Sequence, residues 1–453
     1  MQKVLVANRG EIALRVFRSC KELGLSTVAI YSEADAGSLH VEAADEAHLI
    51  GPAPARESYL KVDAVLNAAA RSGADAIHPG YGFLSENAAF AEQVIAAGLT
   101  WIGPAPEVIR SMGDKQRARE IADQAGVPIV PGSQRFQPEA LDGLSEAAQA
   151  VGYPLLVKAA AGGGGIGMRR VDSEDKLAET VTATQSMAAK AFGDGSVFLE
   201  RFVPKARHVE IQVFGFGDGT AVHLFERDCS LQRRFQKVIE ESPAPGLPDA
   251  VRQEMAEAAL RLVRAVRYGG AGTVEFIVDA ETFAFYFLEM NTRIQVEHPV
   301  TEMVTGRDLV AMQLTFARGS LKGLDQSEVT CQGHVIEARL YAENPAKMFM
   351  PSPGTLEAFA GPSDVPYVRI DSGYRGGDTV TPYYDPMLAK VIAWGADRTE
   401  ARRRLIDTLS AFRIEGLRTN RDFLVACLGD DQFARGDVHT SFIDSRRAQL
   451  IAA

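Results

Sequence analysis

The sequence predicts a multidomain fold that joins an α/β unit to α+β units, and three observations carry that prediction. Strand and helix signals alternate from the start of the chain to Ile102. Near Val130-Pro131-Gly132 the pattern changes to paired strands and antiparallel-type runs. At 453 residues the chain is also too long for one hydrophobic core, so two or three domains are expected.

Residues 4–7, VLVA, are a short apolar run that ends at Asn8-Arg9-Gly10. The run is too short for a secretory signal and reads as a first strand. An amphipathic segment over 12–23 closes at Gly24, as a helix with a glycine C-cap does. Next come a strand at 27–31, a helix at 60–72 before Gly73, and a strand at 76–78 before Pro79 and Gly80. A helix at 88–97 and a strand at 100–102 complete a parallel sheet covered by helices. Ligand contacts in such a fold are expected in the loops after the strands, here 8–10 and 79–83.

Past Gly132, strands at 154–159 and 168–171 flank a glycine run, and a helix at 173–191 with a strand at 197–200 completes a small α+β unit. From His208 the chain reads as antiparallel. The segment 242–245, SPAP, leads to a helix at 249–267 and then to strands at 272–277 and 285–291, the second continuing through 292–298. From Cys331 strands alternate with turns up to a final helix at 398–411. There is no internal repeat.

Formal net charge is -11, without a basic tract, which disfavours nucleic-acid binding through phosphate neutralisation. Cys20, Cys229, Cys331 and Cys427 are scattered and form no CxxC pair, so neither a disulfide framework nor a thiolate metal site is expected. No apolar run has membrane length. A soluble, cytoplasmic protein is the expectation.

The two late strands carry the chemistry. Period two puts Glu289 and Asn291 on one face, and Glu275 reaches the same space if the strands are neighbours. Mg2+ takes one or two carboxylates plus phosphate oxygens. Arg293 and Glu297 add a fixed positive charge and a base. The alternative is a structural ion-pair network.

Residues 158–168, KAAAGGGGIGM, lack the Walker A ending, and the lysine precedes the glycines. Four successive glycines carry an entropy cost, which backbone amides closing over phosphates would offset, with Lys158 adding a point charge. A flexible surface hairpin is the other reading. Lys115 stands just before a helix at 116–125 and is either a phosphate contact or a solvated lysine. The chain at 200–203 offers backbone groups to an adenine edge. Residues 227–240 are dense in donors: Gln232 and Lys237 face a reaction centre, or the segment is a salt-bridged surface turn. Arg339 shares a strand face with Glu337, and His208 with Glu210. Each is open to a structural or a functional reading.

These stretches together resemble the biotin carboxylase family. The matching residues are 7–13 (ANRGEIA), 78–87 (HPGYGFLSEN), 112–115, the loop at 158–168, 226–230, 232–234, 236–237, 289–302 (EMNTRIQVEHPVTE), 381–385 and 419–420. The run at 289–302 is highly specific, and the resemblance spans residues 1–446. It implies an ATP-grasp fold: a Rossmann-like N-terminal domain at 1–114, a linker helix region at 115–131, a mobile glycine-rich lid at 132–203, a catalytic core at 204–330 and a mixed C-terminal domain at 331–446. The implied activity is ATP- and bicarbonate-dependent carboxylation of biotin with two Mg2+ or Mn2+ ions.

By the same resemblance, nucleotide contacts fall on Lys115, Lys158, Gly163, Gly164, Gly165, Gly167, Glu200, Val203, His208 and Gln232. Metal contacts fall on Glu275, Glu289 and Asn291. The bicarbonate pocket falls on Lys237, Arg293, Gln295, Val296 and Glu297, with Tyr81, Gly82 and Arg339 toward biotin. Lys237, Arg293, Glu297 and Arg339 are the implied catalytic groups. Ile166 and Phe235 depart from the Arg or Lys and the His of many relatives, which puts nucleotide affinity in question. The sequence contains no Met-Lys-Met, so biotin is expected on a separate carrier protein, with a carboxyltransferase partner and a homodimeric assembly. Competing readings are another ATP-grasp ligase that activates a different carboxylate, and a noncatalytic nucleotide-binding assembly module.

Overall fold

The computed structural model describes residues 1–160, 167–233 and 236–452, and three sheets carry the architecture. The first is five-stranded and parallel, in the order Glu46–Gly51, Ser26–Ser32, Lys3–Val6, Ala76–His78, Thr100–Trp101. Val4, Leu5, Val6 and Ile77 are fully buried at its centre, as a sheet covered on both faces requires. Strand order reverses between Lys3–Val6 and Ala76–His78, so their C-terminal loops open one crevice. Asn8 ties those loops together: its Nδ2 donates to the carbonyls of Pro79 (2.9 Å) and Tyr81 (2.7 Å). Gly80 has φ +63° there, and a Cβ on it would lie 2.8 Å from that Nδ2. Both constraints call for glycine.

The second sheet is three-stranded and antiparallel, with Leu155–Ala159 between Met168–Val171 and Val197–Arg201. Helices Leu144–Val151 and Leu177–Phe192 accompany it, and Val151, Leu155, Val157, Val171, Val181 and Leu199 form its core.

The third sheet has eight strands. Its order is Phe285–Asn291, Gly269–Asp279, Ala206–Phe216, Ala221–Arg233, Gln236–Ser242, His334–Tyr341, Met387–Gly395, Val368–Ser372, antiparallel throughout. Helix Asp249–Ala265 buries Met255, Ala259, Leu262 and Val263 against Val209, Ile211, Val274 and Phe276. Helix Arg398–Ser410 buries Leu405 and Leu409 against Ile336, Ala338 and Val391 at the other end. Each large aliphatic or aromatic side chain taken fully from water contributes about 1.5–3 kcal/mol, so both ends of the sheet are anchored on their own helix.

The structure differs from the sequence reading at four places. Residues 292–297 leave the sheet instead of extending the strand Phe285–Asn291, and helix His298–Thr305 follows with Pro299 in its first turn, where a missing amide is tolerated. Outside residues 234 and 235, segment 227–240 belongs to strands Ala221–Arg233 and Gln236–Ser242 and is mostly buried, which removes the surface-turn alternative for those residues. The helix Arg398–Ser410 is not the last, since Arg421–Gly429, Asp431–Ala434 and Phe442–Ala452 follow and add Phe423, Leu424 and Phe442 to its core. Finally, the edge strand Glu46–Gly51 and the helices Pro106–Gly113 and Leu144–Val151 are present without having been foreseen. Glu46–Gly51 is mostly half-exposed and has no apolar run to mark it. Among the described residues, no helix is long and apolar enough to cross a membrane.

Candidate active site

Strands Gly269–Asp279 and Phe285–Asn291 are antiparallel neighbours, and their register sets Glu275 directly opposite Glu289. A bulge follows Glu275, and such bulges re-aim side chains. Glu275 is wrapped by donors. Its Oε1 accepts from Lys237 Nζ (2.8 Å), Asn291 Nδ2 (2.8 Å) and Gln295 Nε2 (2.9 Å), and Oε2 lies 2.9 Å from His208 Nε2. Burial alone would raise its pKa, but Lys237 and His208 outweigh burial and hold it well below the usual carboxylate range. Glu289 is half-buried. Burial, and then the Glu275 charge, push its carboxyl upward, against the pull of Lys115. Carboxylate and amide oxygens are the hard donor set that suits Mg2+ or Mn2+, and the strain of two facing carboxylates is what a divalent cation relieves. The residues present fit the ion.

Lys237 is the hub. Its ammonium lies 2.5 Å from Glu210, 2.8 Å from Glu275 and 2.6 Å from Glu297. Burial disfavours its charge, but the three carboxylates outweigh that and raise its pKa well above the lysine value. His208, Glu210 and Glu275 present ligand atoms within 4.8 Å of one another. Lys237 pairs with two of the three and Arg227 with Glu210, so protein cations already hold this trio together. Burial pushes His208 toward neutrality, but the charge and hydrogen bond of Glu275 together with the Glu210 charge outweigh it, and the imidazole pKa is raised. Its Nδ1 meets Gln232 Nε2 at 2.7 Å.

Glu297 ends the loop after the acidic strand. Lys237 holds its Oε1, and Arg339 Nη2 donates to its Oε2 at 2.9 Å. Burial would protonate it, yet Lys237, Arg339 and Arg227 drive its pKa far below the ordinary glutamate value. Arg339 Nε also lies 2.7 Å from Glu240, whose carboxyl burial pushes up to about 7 against the Arg339 charge. Arg293 is less enclosed. Its Nε donates to Glu86 Oε2 and its Nη2 to Asn291 Oδ1, both at 2.9 Å.

The structure thus joins Glu275, Asn291, Arg293, Gln295, Glu297, Lys237, Arg339, His208 and Gln232 in one hydrogen-bonded network facing Glu289. The other expected residues stand apart from it. Lys158 Nζ donates to Glu200 Oε1 at 2.7 Å, and Arg119 Nη1 to Glu200 Oε2 at 3.0 Å. Lys115 opens helix Lys115–Gln124 and is exposed. Val203 is half-buried after strand Val197–Arg201. Gly167 has φ +91°, and its carbonyl accepts from Ala159 at 2.9 Å. Gly163, Gly164, Gly165, Ile166 and Phe235 lie outside the described residues. Tyr81 donates to Glu11 Oε1, Gly82 has φ +65°, and the Val296 carbonyl accepts from Lys390.

Several groups of this network went unassigned at the sequence level. Arg227 is fully buried and donates to Glu210 and Gln212 at 2.7 Å, to Thr301 at 2.8 Å and to Gln295 at 2.7 Å. Glu86 was visible within the 78–87 match, and Glu210 as a strand-face partner of His208. Nothing in the sequence pattern marks Arg119, Glu240 or Lys390.

Comparisons with known proteins bear on the fold and the family. Residues 1–109 match the biotin carboxylase N-terminal domain, 114–324 the ATP-binding domain of the carbamoyl-phosphate synthase L chain, and 337–445 the biotin carboxylase C-terminal domain. Biotin carboxylase 1 of Bacillus subtilis is 49% identical over 445 residues, covering 98% of each chain. The mitochondrial methylcrotonoyl-CoA carboxylase subunit alpha of Arabidopsis thaliana is 49% identical over 452 residues, and the chain spans 61% of that relative's length. The biotin carboxylase domain dimer of Hydrogenobacter thermophilus 2-oxoglutarate carboxylase, solved with MgADP, ADP and bicarbonate, superposes with a TM-score of 0.91 at 42% identity, covering 99% of this chain and 98% of that one. The fold is that of these ATP-grasp domains, and the chain belongs to the biotin carboxylase family.

Proposed function

We propose that this chain carboxylates biotin borne on a carrier outside these 453 residues, using ATP and bicarbonate and releasing ADP and phosphate. The observation that carries the reading is Glu297. It is a buried carboxylate clamped between Lys237 and Arg339, on the loop that leads directly from the acidic strand.

Lys115, Lys158 and the glycine segment through Gly167 contact the nucleotide phosphates, while Glu200, Val203, His208 and Gln232 line the rest of the nucleotide site. Two Mg2+ or Mn2+ ions, bound at Glu275 and Glu289 beside Asn291, supply charge neutralisation at the transferring phosphoryl group. Arg293, Gln295 and the Val296 backbone hold bicarbonate, and the planar donor fork of Arg293 suits that anion. A bicarbonate oxygen bonds to the γ-phosphorus, the bond to the bridging oxygen breaks, and ADP leaves. Glu297 takes the bicarbonate proton. Its ion pairs make it a weak base at rest, so Lys237 must turn toward the phosphoryl oxygens first, which raises the basicity of Glu297 as transfer begins.

Carboxyphosphate then splits to CO2 and phosphate. The phosphate takes the biotin N1′ proton, and N1′ bonds to the carbon of CO2. Arg339 faces the negative charge that develops on the ureido oxygen, with Tyr81 and Gly82 along the biotin. A carboxyltransferase receives the carboxyl group. A homodimer and the cytoplasm complete the reading, and acyl-CoA is the proposed class of final acceptor.

The test is ADP release at saturating Mg-ATP, with and without bicarbonate and with and without free biotin. Bicarbonate dependence together with stimulation by biotin is expected. Turnover indifferent to biotin would overturn the assignment.

A further inference from the structure

Lys390 carries a fully buried cation whose best hydrogen bond is spent on a backbone carbonyl. It lies on strand Met387–Gly395, directly across from Arg339 on strand His334–Tyr341, and has no exposed surface. Burying an ammonium costs several kcal/mol unless partners compensate it, so its partners define its role. Its Nζ donates to the carbonyl of Val296 at 2.9 Å. Val296 stands between Gln295 and Glu297, and Arg339 donates to the Glu297 side chain. Two cross-strand neighbours therefore grip the same loop, one by its backbone and one by its carboxylate.

The other side of Lys390 meets Glu11, whose Oε2 lies 3.2 Å from Nζ. Asp371, 3.9 Å away, is committed to Arg369. Glu11 is buried, and its second oxygen accepts a hydrogen bond from the Tyr81 hydroxyl. Its backbone is fixed in turn by Gly373: a Cβ at 373 would stand 2.7 Å from the Glu11 amide nitrogen and 3.1 Å from Gly10 Cα. One continuous chain of contacts thus runs Tyr81–Glu11–Lys390–Val296 and joins the loop after strand Ala76–His78 to the loop after strand Phe285–Asn291.

We infer that Lys390 and Glu11 are positioning residues that hold the bicarbonate loop at Val296 and the biotin-side Tyr81 in one fixed spacing. The inference rests on the function proposed above. The formation of carboxyphosphate and the carboxylation of biotin are successive steps, and the distance between the loop that forms carboxyphosphate and the wall that presents biotin sets how efficiently CO2 reaches N1′. A misplacement of about 1 Å is enough to cost a reaction about 100-fold.

A plain structural tie between helix Gly10–Glu22, which carries Glu11, and the eight-stranded sheet would predict lost stability alone, so the test separates KM from kcat. Lys390→Met, Glu11→Gln and the double variant E11Q/K390M are measured for bicarbonate-dependent ADP release, its stimulation by free biotin, and Mg-ATP affinity at equilibrium. The double variant leaves neither charge buried alone. For K390M, bicarbonate KM rises and kcat falls, by about 10- to 100-fold combined, while Mg-ATP affinity stays within about twofold. For E11Q, the larger effect falls on biotin, with KM up about 10-fold. The double variant is no slower with biotin than K390M, because the two residues act through one link. Unaltered KM and kcat values in the variants, with only a lower melting temperature, would overturn the inference, and so would effects that multiply in the double variant. Absence of bicarbonate-dependent turnover in the unaltered chain would instead overturn the proposed function, and this inference with it.

Discussion

Glu275 and Glu289 face one another across adjacent strands, yet their surroundings are opposite. Glu275 accepts hydrogen bonds from Lys237, Asn291 and Gln295 and lies against His208. No hydrogen bond from the described residues reaches the Glu289 carboxylate. Glu275 is a preset, ionised anchor. In the proposed function, Glu289 is the acid left for an incoming cation to recruit.

That asymmetry predicts that Glu289→Gln leaves the fold intact, because no protein partner loses its counter-charge. The Mg2+ concentration for half-maximal ADP release should rise about 10-fold or more, in line with the loss of one carboxylate ligand. A magnesium titration of wild type and variant reads this directly. Superimposable titration curves would remove Glu289 from the metal site.

Glu297→Gln deletes the proposed base while keeping the shape of the side chain. Turnover should fall about 100- to 10,000-fold, with Mg-ATP affinity changed far less, since Glu297 contacts Lys237 and Arg339 and Lys237 turns to the phosphoryl oxygens only as transfer begins. Equilibrium nucleotide binding beside steady-state rates makes the check. Equal losses in affinity and rate would mean that Glu297 supports the nucleotide site instead.

Much of this site was legible in the sequence because strand period and local spacing do not depend on tertiary context. Period two puts Glu289 and Asn291 together, and nearness in sequence adds Arg293 and Glu297, although 292–297 form a loop and not the expected strand; Gln295 enters only through the family resemblance. Arg227 and Lys390 were not legible, since their importance arises from pairings between strands far apart in the chain. Glu86 lay in a recognised motif, but its partner Arg293 is 207 residues away, and no local pattern announces such a contact. The same limit hid the edge strand Glu46–Gly51, whose half-exposed residues are held by register with strand Ser26–Ser32 and not by an apolar run.

The Glu86–Arg293 pair gives a further prediction. Glu86 Oε2 accepts from Arg293 Nε, while Nη2 is fixed by Asn291. Glu86→Gln loosens one of these two anchors on a half-buried guanidinium. Bicarbonate KM should rise about 3- to 10-fold, as expected when a charge-assisted hydrogen bond worth roughly 1 kcal/mol is weakened, with Mg-ATP affinity held. Kinetics at varied bicarbonate read the outcome. A shift in ATP KM with bicarbonate KM unchanged would assign the pair to the nucleotide side.

Stability should depend on pH through Glu241. This buried carboxylate accepts from Arg398 Nε at 2.6 Å and Nη2 at 2.9 Å and meets His334 Nε2 at 2.7 Å, tying the end of strand Gln236–Ser242 to helix Arg398–Ser410. Burial alone would raise its pKa, but Arg398 and His334 outweigh burial and lower it from 4.5 to about 2. A depressed carboxylate stabilises the fold fully above its unfolded pKa, and the contribution is lost as pH falls through 4.5 toward 2. The size is about 3 kcal/mol at neutral pH. Glu241→Gln removes the titrating group and leaves Arg398 without its counter-charge, so the variant should be less stable by about that amount near neutrality. Denaturant midpoints compared between about pH 7 and pH 3 should then converge as the wild type is acidified. A constant gap across that range would show that the titration of Glu241 does not control the stability of this joint.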